Sequence, residues 1–435
     1  MVRAEKAVDG PPDDATLAAD TEFVTRRPQW KRDTVIFLSG QTISLFGSML
    51  VQYAVMWHLT LTTKSGAIMA LAALAGFLPQ AIMSIFGGVW ADRVNRKMLI
   101  IIADAAIAVT TLALALVMMS GVGDLWLIFV ALAIRSTGAG IQQPAVSALI
   151  PQIVAPSQLM RVNGIFGTIQ PIMALLAPAA AGAVYALASI VAIFFIDVVT
   201  AIIGIALLSL VVVPTLRAAG DRPGYFTDMV EGLRYVGSHR LVRWLLVLFG
   251  AIFLLAVAPS YLTPLMLVRN FGDEVWMLTV LEVCFSLGMV IGGGVIAVWG
   301  GMKNRVIMLA VASLLFGVLS IALGLSPTVW IFFGFMLIVG IAVPFFSTPS
   351  FTMLQEIVEP ERQGRVFGFV GIVMAVAMPI GMGILGPLAD QLPVEILLVA
   401  CGILCFIVVI AALLAPSGRE ALRTGGSGMG AAIRD

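Results

Sequence analysis

The chain has 435 residues, of which 60% are hydrophobic and 11% charged, and its 25 basic and 24 acidic side chains leave a formal net charge of +1. Soluble proteins carry about 25% charged residues, so this composition cannot cover a water-soluble protein of such length, and lipid is the solvent for most of it. The balanced charge offers no basic field for nucleic acid. Cys284, Cys401 and Cys405 lie in apolar runs with neither a pairing framework nor metal-ligand spacing, which excludes a disulfide scaffold and a zinc site.

In chain order, residues 1–33 are polar and mixed in charge, and read as an N-terminal tail. Twelve apolar runs follow, each near the roughly 20 residues a helix needs to cross a hydrocarbon core about 30 Å thick. These spans cover 34–60, 66–91, 98–119, 125–149, 162–187, 190–213, 243–268, 275–299, 305–325, 328–354, 365–389 and 394–415. The period-two alternation of barrel strands is absent. An all-α membrane protein is predicted, with six-helix bundles over 34–213 and 243–415 and a linker over 214–242. In that linker, 225–237 has the pattern of a surface amphipathic helix. A tail over 416–435, rich in glycine from Gly425 to Gly430, closes the chain.

Basic residues set the orientation. Arg26, Arg27, Lys31 and Arg32 precede span 1, and Arg93, Arg96 and Lys97 fall between spans 2 and 3. Lys303, Arg305, Arg362, Arg365, Arg419 and Arg423 keep to the same side, whereas the other side offers Lys64 and Arg269 alone. Both termini are therefore expected in the cytoplasm, with the protein multi-pass in the cytoplasmic (inner or plasma) membrane.

The two halves repeat weakly. Ile153-Val154, Pro156 and Arg161-Val162-x-Gly164 recur as Ile357-Val358, Pro360 and Arg365-Val366-x-Gly368. Gly87-Gly88-Val89 is echoed by Gly293-Gly294-Val295. Parallel six-span repeats with a site between them are one layout of secondary transporters.

Residues 88–97, Gly-Val-Trp-Ala-Asp-Arg-Val-Asn-Arg-Lys, resemble the loop between helices two and three of the major facilitator superfamily. Asn95 replaces a glycine of that motif, and since Asn tolerates a left-handed backbone the turn is expected to be kept. Arg135-x-x-Gly138-x-Gly140 resembles the family's helix-four motif. Gly40-Gln41-x-Ile43-Ser44-Leu45, Gly76-Phe77-Leu78-Pro79, Gly364-Arg365-Val366-Phe367 and Ala377-Met378-Pro379-Ile380-Gly381 are similar to its bacterial macrolide-efflux branch. The resemblance covers about residues 30–415. It implies two pseudo-symmetric six-helix halves and cavity-lining roles for helices four and eight.

An ionised group at a helix centre costs about 2.5–3.5 kcal/mol on insertion scales, so Asp104, Arg135, Asp197 and Glu282 each need a partner or a purpose. Glu282 and Arg135, near mid-depth on lining helices, are the proton-coupling candidates. At Glu282, proton and cationic substrate would compete for one carboxylate; the alternative is a neutral acid hydrogen-bonded between helices. Arg135 would organise a carboxylate or cavity water, or else pair structurally. Asp104 and Asp197 are secondary intramembrane charges, read as structural.

The resemblance implies gating for Asp92, Arg93 and Arg96, because the family's aspartate lies near the start of helix eleven and holds the outward-open state. A carboxylate there gains about 0.3–1 kcal/mol from the helix N-terminus. Polar and aromatic candidates for the substrate cavity are Gln41, Gln52, Tyr53, Gln142, Gln143, Gln170, Tyr261, Phe285, Phe346 and Met378. Each has packing as its alternative. Gly288, Gly292 and Gly293 suit close helix contact, and Pro79, Pro144, Pro171, Pro259, Pro264, Pro344 and Pro379 are sites where lining helices can bend.

The function these features imply is proton-coupled antiport of amphiphilic, cationic drugs such as macrolides, by alternating access. A siderophore or lysolipid exporter, or a non-transporting receptor on the same fold, are the alternatives. No enzyme is expected, since His58 and His239 stand far apart in different settings. Neither a phosphate-binding loop nor a metal-ligand cluster is visible, so the proton gradient takes the place of a cofactor. Partners are the substrate, protons and membrane lipids, without nucleic acid, and a monomer suffices.

Overall fold

The computed structural model describes residues 14–121, 124–213, 234 and 236–424. Among them are twelve helices long and apolar enough to cross a membrane, and no strand. Spans 1 to 6 are Trp30–Thr63, Gly66–Arg93, Arg96–Met119, Leu125–Ile153, Leu159–Leu187 and Ile190–Leu210. Span 7 runs from Arg240 to Asn270 and is interrupted by a π turn at Ala258–Leu262; spans 8 to 12 are Val275–Trp299, Arg305–Gly324, Val329–Ile357, Pro360–Gln391 and Val394–Leu414. An even number of crossings returns both chain ends to one side, called here the termini face; the opposite side is the far face. Most of the linker helix expected at Tyr225–Gly237, and the glycine-rich end, lie outside the described residues.

The segments read as tails are partly docked. Residues Asp14–Arg26 form a helix, and the Ser157 amide donates to Asp20 at 3.1 Å. Arg27 pairs with Asp33 at 3.1 Å and donates to the carbonyls of Gln152 and Val212, stitching the ends of spans 4 and 6 to the start of span 1. At the other terminus Pro416–Thr424 is helical. Arg240 donates to Ser417 at 2.8 Å and Asn304 to the Leu422 carbonyl at 3.0 Å.

The duplication is visible in packing. Spans 2 and 4 form the most extensive pair of the first half, and their counterparts 8 and 10 that of the second. Both pairs close on glycine, where backbones approach too nearly for a side chain. A Cβ at Gly140 would lie 2.6 Å from the Gln80 carbonyl oxygen, and one at Gly288 2.1 Å from that of Leu337. Gly292 matches the expectation of close contact, whereas Gly293 faces open space. In Gly340→Ala a methyl would meet the Phe285 carbonyl at 2.1 Å. An overpacking loss of about 1–3 kcal/mol is expected, while Gly293→Ala is expected to be neutral or stabilising. Paired thermal melts in one detergent decide; equal midpoints for the two variants would contradict the packing argument.

The loop between spans 2 and 3 corrects one expectation. Asn95 is extended, at φ −64°, and not left-handed; its side chain instead accepts from the Met98 amide at 3.3 Å, capping span 3. Asn304 caps span 9, the equivalent helix of the second half, by accepting from the amides of Val306 and Ile307. Asparagine is retained for its oxygen, one of the strongest helix caps.

The halves meet along spans 2 and 11 and along spans 5 and 8. At the far face these seams are shut: a Cβ at Gly66 would lie 2.3 Å from the Gly386 carbonyl, and one at Gly182 2.0 Å from the Thr279 hydroxyl. Toward the termini face they part, and a Cβ at Gly88, Gly164 or Gly371 would meet nothing within 4 Å.

Candidate functional site

A cavity of about 430 Å³ lies between the halves. Its wall is amphiphilic. Gln41 and Gln52 enter from span 1, Gln142 and Gln143 from span 4 and Gln170 from span 5; Met49, Met56, Phe77 and Phe166 supply apolar surface. Tyr261 and Met378 are the contributions of the second half. Seven of the ten expected cavity residues are thus on this wall, and three are not. Tyr53 packs on Trp57, with ring centroids 5.9 Å apart. Phe346 stacks on Phe249 at 5.6 Å inside the second half, and Phe285 sits where span 8 presses on Gly340. Aromatic residues on a lining helix also face its neighbours, and helix number alone does not separate the two faces. The serines Ser44, Ser48 and Ser136 line the wall without having been anticipated.

Span 7 shows why Tyr261 reaches the cavity. Pro259 lacks an amide hydrogen and Pro264 lacks another, so the helical ladder cannot run regularly through this stretch. A π turn takes up the slack at Ala258–Leu262 and presents the Tyr261 ring edge-on to Phe77 of span 2, with centroids 6.3 Å apart. Such turns concentrate at functional sites.

Arg135 lines the cavity and is bound to Asp197 of span 6. It also donates to Thr111 of span 3, whose hydroxyl donates to Asp197 at 3.0 Å, and Ser48 of span 1 reaches the second carboxylate oxygen at 3.4 Å. Four helices converge on one carboxylate that is 1% exposed. Asp197, set aside as a secondary charge, is therefore the partner of Arg135. Asp104 is 3% exposed; its Oδ1 accepts from the Gln142 amide at 2.5 Å, and its Oδ2 has no hydrogen-bond partner among the described residues.

Glu282 is half-buried on span 8 and makes no hydrogen bond or ion pair among the described residues. Tyr53 of span 1 and Tyr261 of span 7 stand within reach of its charge. Arg135 and Glu282, paired as coupling candidates in the sequence, are thus in separate settings, one neutralised within the first half and one unpartnered in the second.

Of the gating candidates, Arg96 donates to the carbonyls of Ala91 and Ala148, both at 2.7 Å, tying the loop to the end of span 4. Arg93 is exposed. The side chain of Asp92 lies outside the described residues.

A second polar cluster, at the far face, was not singled out in the sequence. Asp390, near the end of span 11, accepts from the Ser65 hydroxyl at 2.8 Å and from the amides of Gly66 and Ala67 at 2.7 and 2.9 Å. A carboxylate of one half thus sits on the helix N-terminus of the other. Arg269 of span 7 binds Asp390 at 2.9 Å and the Lys64 carbonyl at 2.6 Å, while Lys64 bonds Asp273 at 3.1 Å and holds that carboxyl below its usual range. The available signal was that Lys64 and Arg269 are the two cations of an otherwise cation-poor side; here they meet.

The comparisons follow this geometry. The family model described as Major Facilitator Superfamily matches residues 35–306 and 276–431. Macrolide efflux protein A of Streptococcus pyogenes is 31% identical over 374 residues, covering 84% of this chain and 91% of that protein. Macrolide efflux protein A of Enterococcus faecalis is 32% identical over 326 residues, 73% of this chain and 100% of that one. A bacterial homologue of the human lysosomal transporter Spinster, solved in an inward-facing and unoccupied conformation, superposes with a TM-score of 0.65 at 13% identity, covering 94% of this chain and 98% of that chain. With its twelve helices, paired halves and central cavity, the chain belongs to the major facilitator superfamily.

Proposed function

We propose that the protein is a proton-coupled exporter of amphiphilic, cationic small molecules of the macrolide type, working by alternating access in the bacterial inner membrane. The observation that carries this reading is Glu282: an intramembrane carboxyl without a partner among the described residues, within electrostatic reach of Tyr53 and Tyr261, in a chain whose relatives are named for macrolide efflux. An intramembrane carboxyl with no partner of its own is suited to a proton or an ammonium group in turn.

With the termini face taken as cytoplasmic, the parted seam receives cargo from the cell and the shut far face is the gate that opens next. The cavity wall suits the cargo: glutamines offer donors and acceptors without fixed charge, and methionines adapt to varied apolar shapes. When one proton exchanges for one cation, each unit of pH gradient supplies about 1.4 kcal/mol, enough for roughly a tenfold cargo gradient. The carrier works as a monomer, since both halves of the site come from one chain.

The test is uptake of a labelled macrolide and of ethidium into inverted vesicles under a pH gradient. Wild type is expected to accumulate at least one of them, and Glu282→Gln to lose accumulation while keeping its melting temperature, because no partner is orphaned. Unaltered accumulation in Glu282→Gln removes this carboxyl from the mechanism. Transport of a siderophore or lysolipid in place of both probes keeps the carrier and replaces its cargo.

A further inference from the structure

Asp104 is the one buried side chain among the described residues with a polar atom lacking any partner. The carboxyl sits on span 3, eight residues past Arg96, about 12 Å along the helix from its termini-face end. Its neighbours leave it without a counter-charge. The facing elements are spans 4 and 6. From span 4, Gln142 offers a neutral amide to Oδ1, and the Arg135 guanidinium is committed to Asp197 and Thr111. From span 6, Asp197 is itself a carboxylate, and its charge acts on Asp104. An ionised Asp104 would bury a bare oxygen near a like charge inside a bilayer, where unpaired charge is among the costliest arrangements.

Gln142 ends this isolation on one side. It bonds Asp104 and also lines the cavity, so a single amide separates the carboxyl from the space where cargo and water enter. Along the same face of span 3, Thr111 lies seven residues, or two turns, beyond Asp104 and bonds Arg135 and Asp197. Two polar sites therefore lie on one face of span 3, Asp104 with Gln142 and Thr111 with Arg135 and Asp197, separated by the buried apolar Ile107 and Ala108; Gln142 and Arg135 both line the cavity.

We propose that Asp104 is a proton-binding site of the first half, loaded and emptied through Gln142, and separate from the carboxyl at Glu282 that takes the cargo's cation. This deepens the proton-coupled reading above and rests on it. In the step itself only an O–H bond changes: the proton on Oδ2 passes to a cavity water when the Gln142 amide turns aside, and a water later returns one to the carboxylate. Cargo and proton then occupy different halves, and the charge left at Asp104 is neutralised before the halves reseal.

Infrared spectra of the full chain in lipid nanodiscs test the site without cargo, through the carbonyl stretch of protonated carboxylic acids across a pH series. Asp104→Asn is expected to remove one component of that band, Glu282→Gln to remove a different one, and Gln142→Leu to shift the Asp104 component. An unchanged band in Asp104→Asn overturns the proposal; if that variant does not fold, an unshifted band in Gln142→Leu does the same. In vesicles, Asp104→Asn is expected to exchange labelled macrolide or ethidium at wild-type rate but to lose the accumulation driven by the pH gradient, roughly tenfold per pH unit. Accumulation intact in that variant also overturns the proposal. Failure of wild type to move any probe would sink the exporter reading alone, since the infrared bands still decide Asp104.

Discussion

Arg135→Met is expected to destabilise the protein by about 3–5 kcal/mol, the usual consequence of removing one partner from a buried ion pair. The loss arises at Asp197, which is 1% exposed and would keep only the Thr111 and Ser48 hydroxyls. Asp197→Leu is expected to fail similarly, by stranding a guanidinium. The double variant Arg135→Met/Asp197→Leu removes both charges and replaces them with apolar bulk, so its melting temperature is expected to return close to wild type. Transport by the double variant separates the roles. If Arg135 only holds spans 3, 4 and 6 together, transport returns with the fold; if it orders water in the cavity, the fold returns alone. Additive losses in the double variant would show that the pair is not the unit described here.

Asp390→Ala is expected to shift the conformational balance toward a state open at the far face. The carboxylate accepts two backbone amides and a hydroxyl at the start of span 2 and binds Arg269, all at 2.7–2.9 Å. Hydrogen bonds to a charged group contribute about 1.5–3 kcal/mol each when buried and less when solvated. Asp390 and Arg269 remain partly exposed, so a net loss near the low end, about 1.5 kcal/mol, is the estimate, and that shifts a two-state population about tenfold. The measurement is a distance distribution between spin labels at Ala67 and Leu392, placed on a cysteine-free background lacking Cys284, Cys401 and Cys405. Growth of a longer component in Asp390→Ala, reversed in Asp390→Glu, is expected. Identical distributions in wild type and Asp390→Ala would show that the glycine contacts beneath hold the face shut unaided.

The readable parts of this fold were those that depend on composition over a whole span. Apolar runs located twelve helices because each must satisfy the bilayer along its full length, and Gly288 and Gly292 of span 8 announced a close approach. Contacts made by single side chains across the chain were less legible. Asp390 meets Gly66 from 324 positions away, and no local pattern distinguishes it from any other helix-end acid. Asp197 was read as structural without its partner, because the pairing with Arg135 joins spans 4 and 6 across 62 positions and leaves no local pattern. Asn95 was read for its backbone tolerance when its side-chain oxygen was the relevant property.

The cavity wall is unevenly shared, since Tyr261 and Met378 are the second half's contributions to it. A molecule held there is in effect a passenger of the first half. When the halves rock, most of its contacts travel with it unbroken, and the exchange of surroundings falls on Tyr261, Met378 and the proposed pairing with Glu282. The barrier to the rocking step is then governed little by how tightly cargo binds. Adding groups that strengthen the grip of the first half would slow release without hindering the rocking itself, so a tight ligand would be carried across and then linger. Carriers of this design would rock at nearly constant speed with cargo of widely differing affinity, and differences in turnover would arise at release.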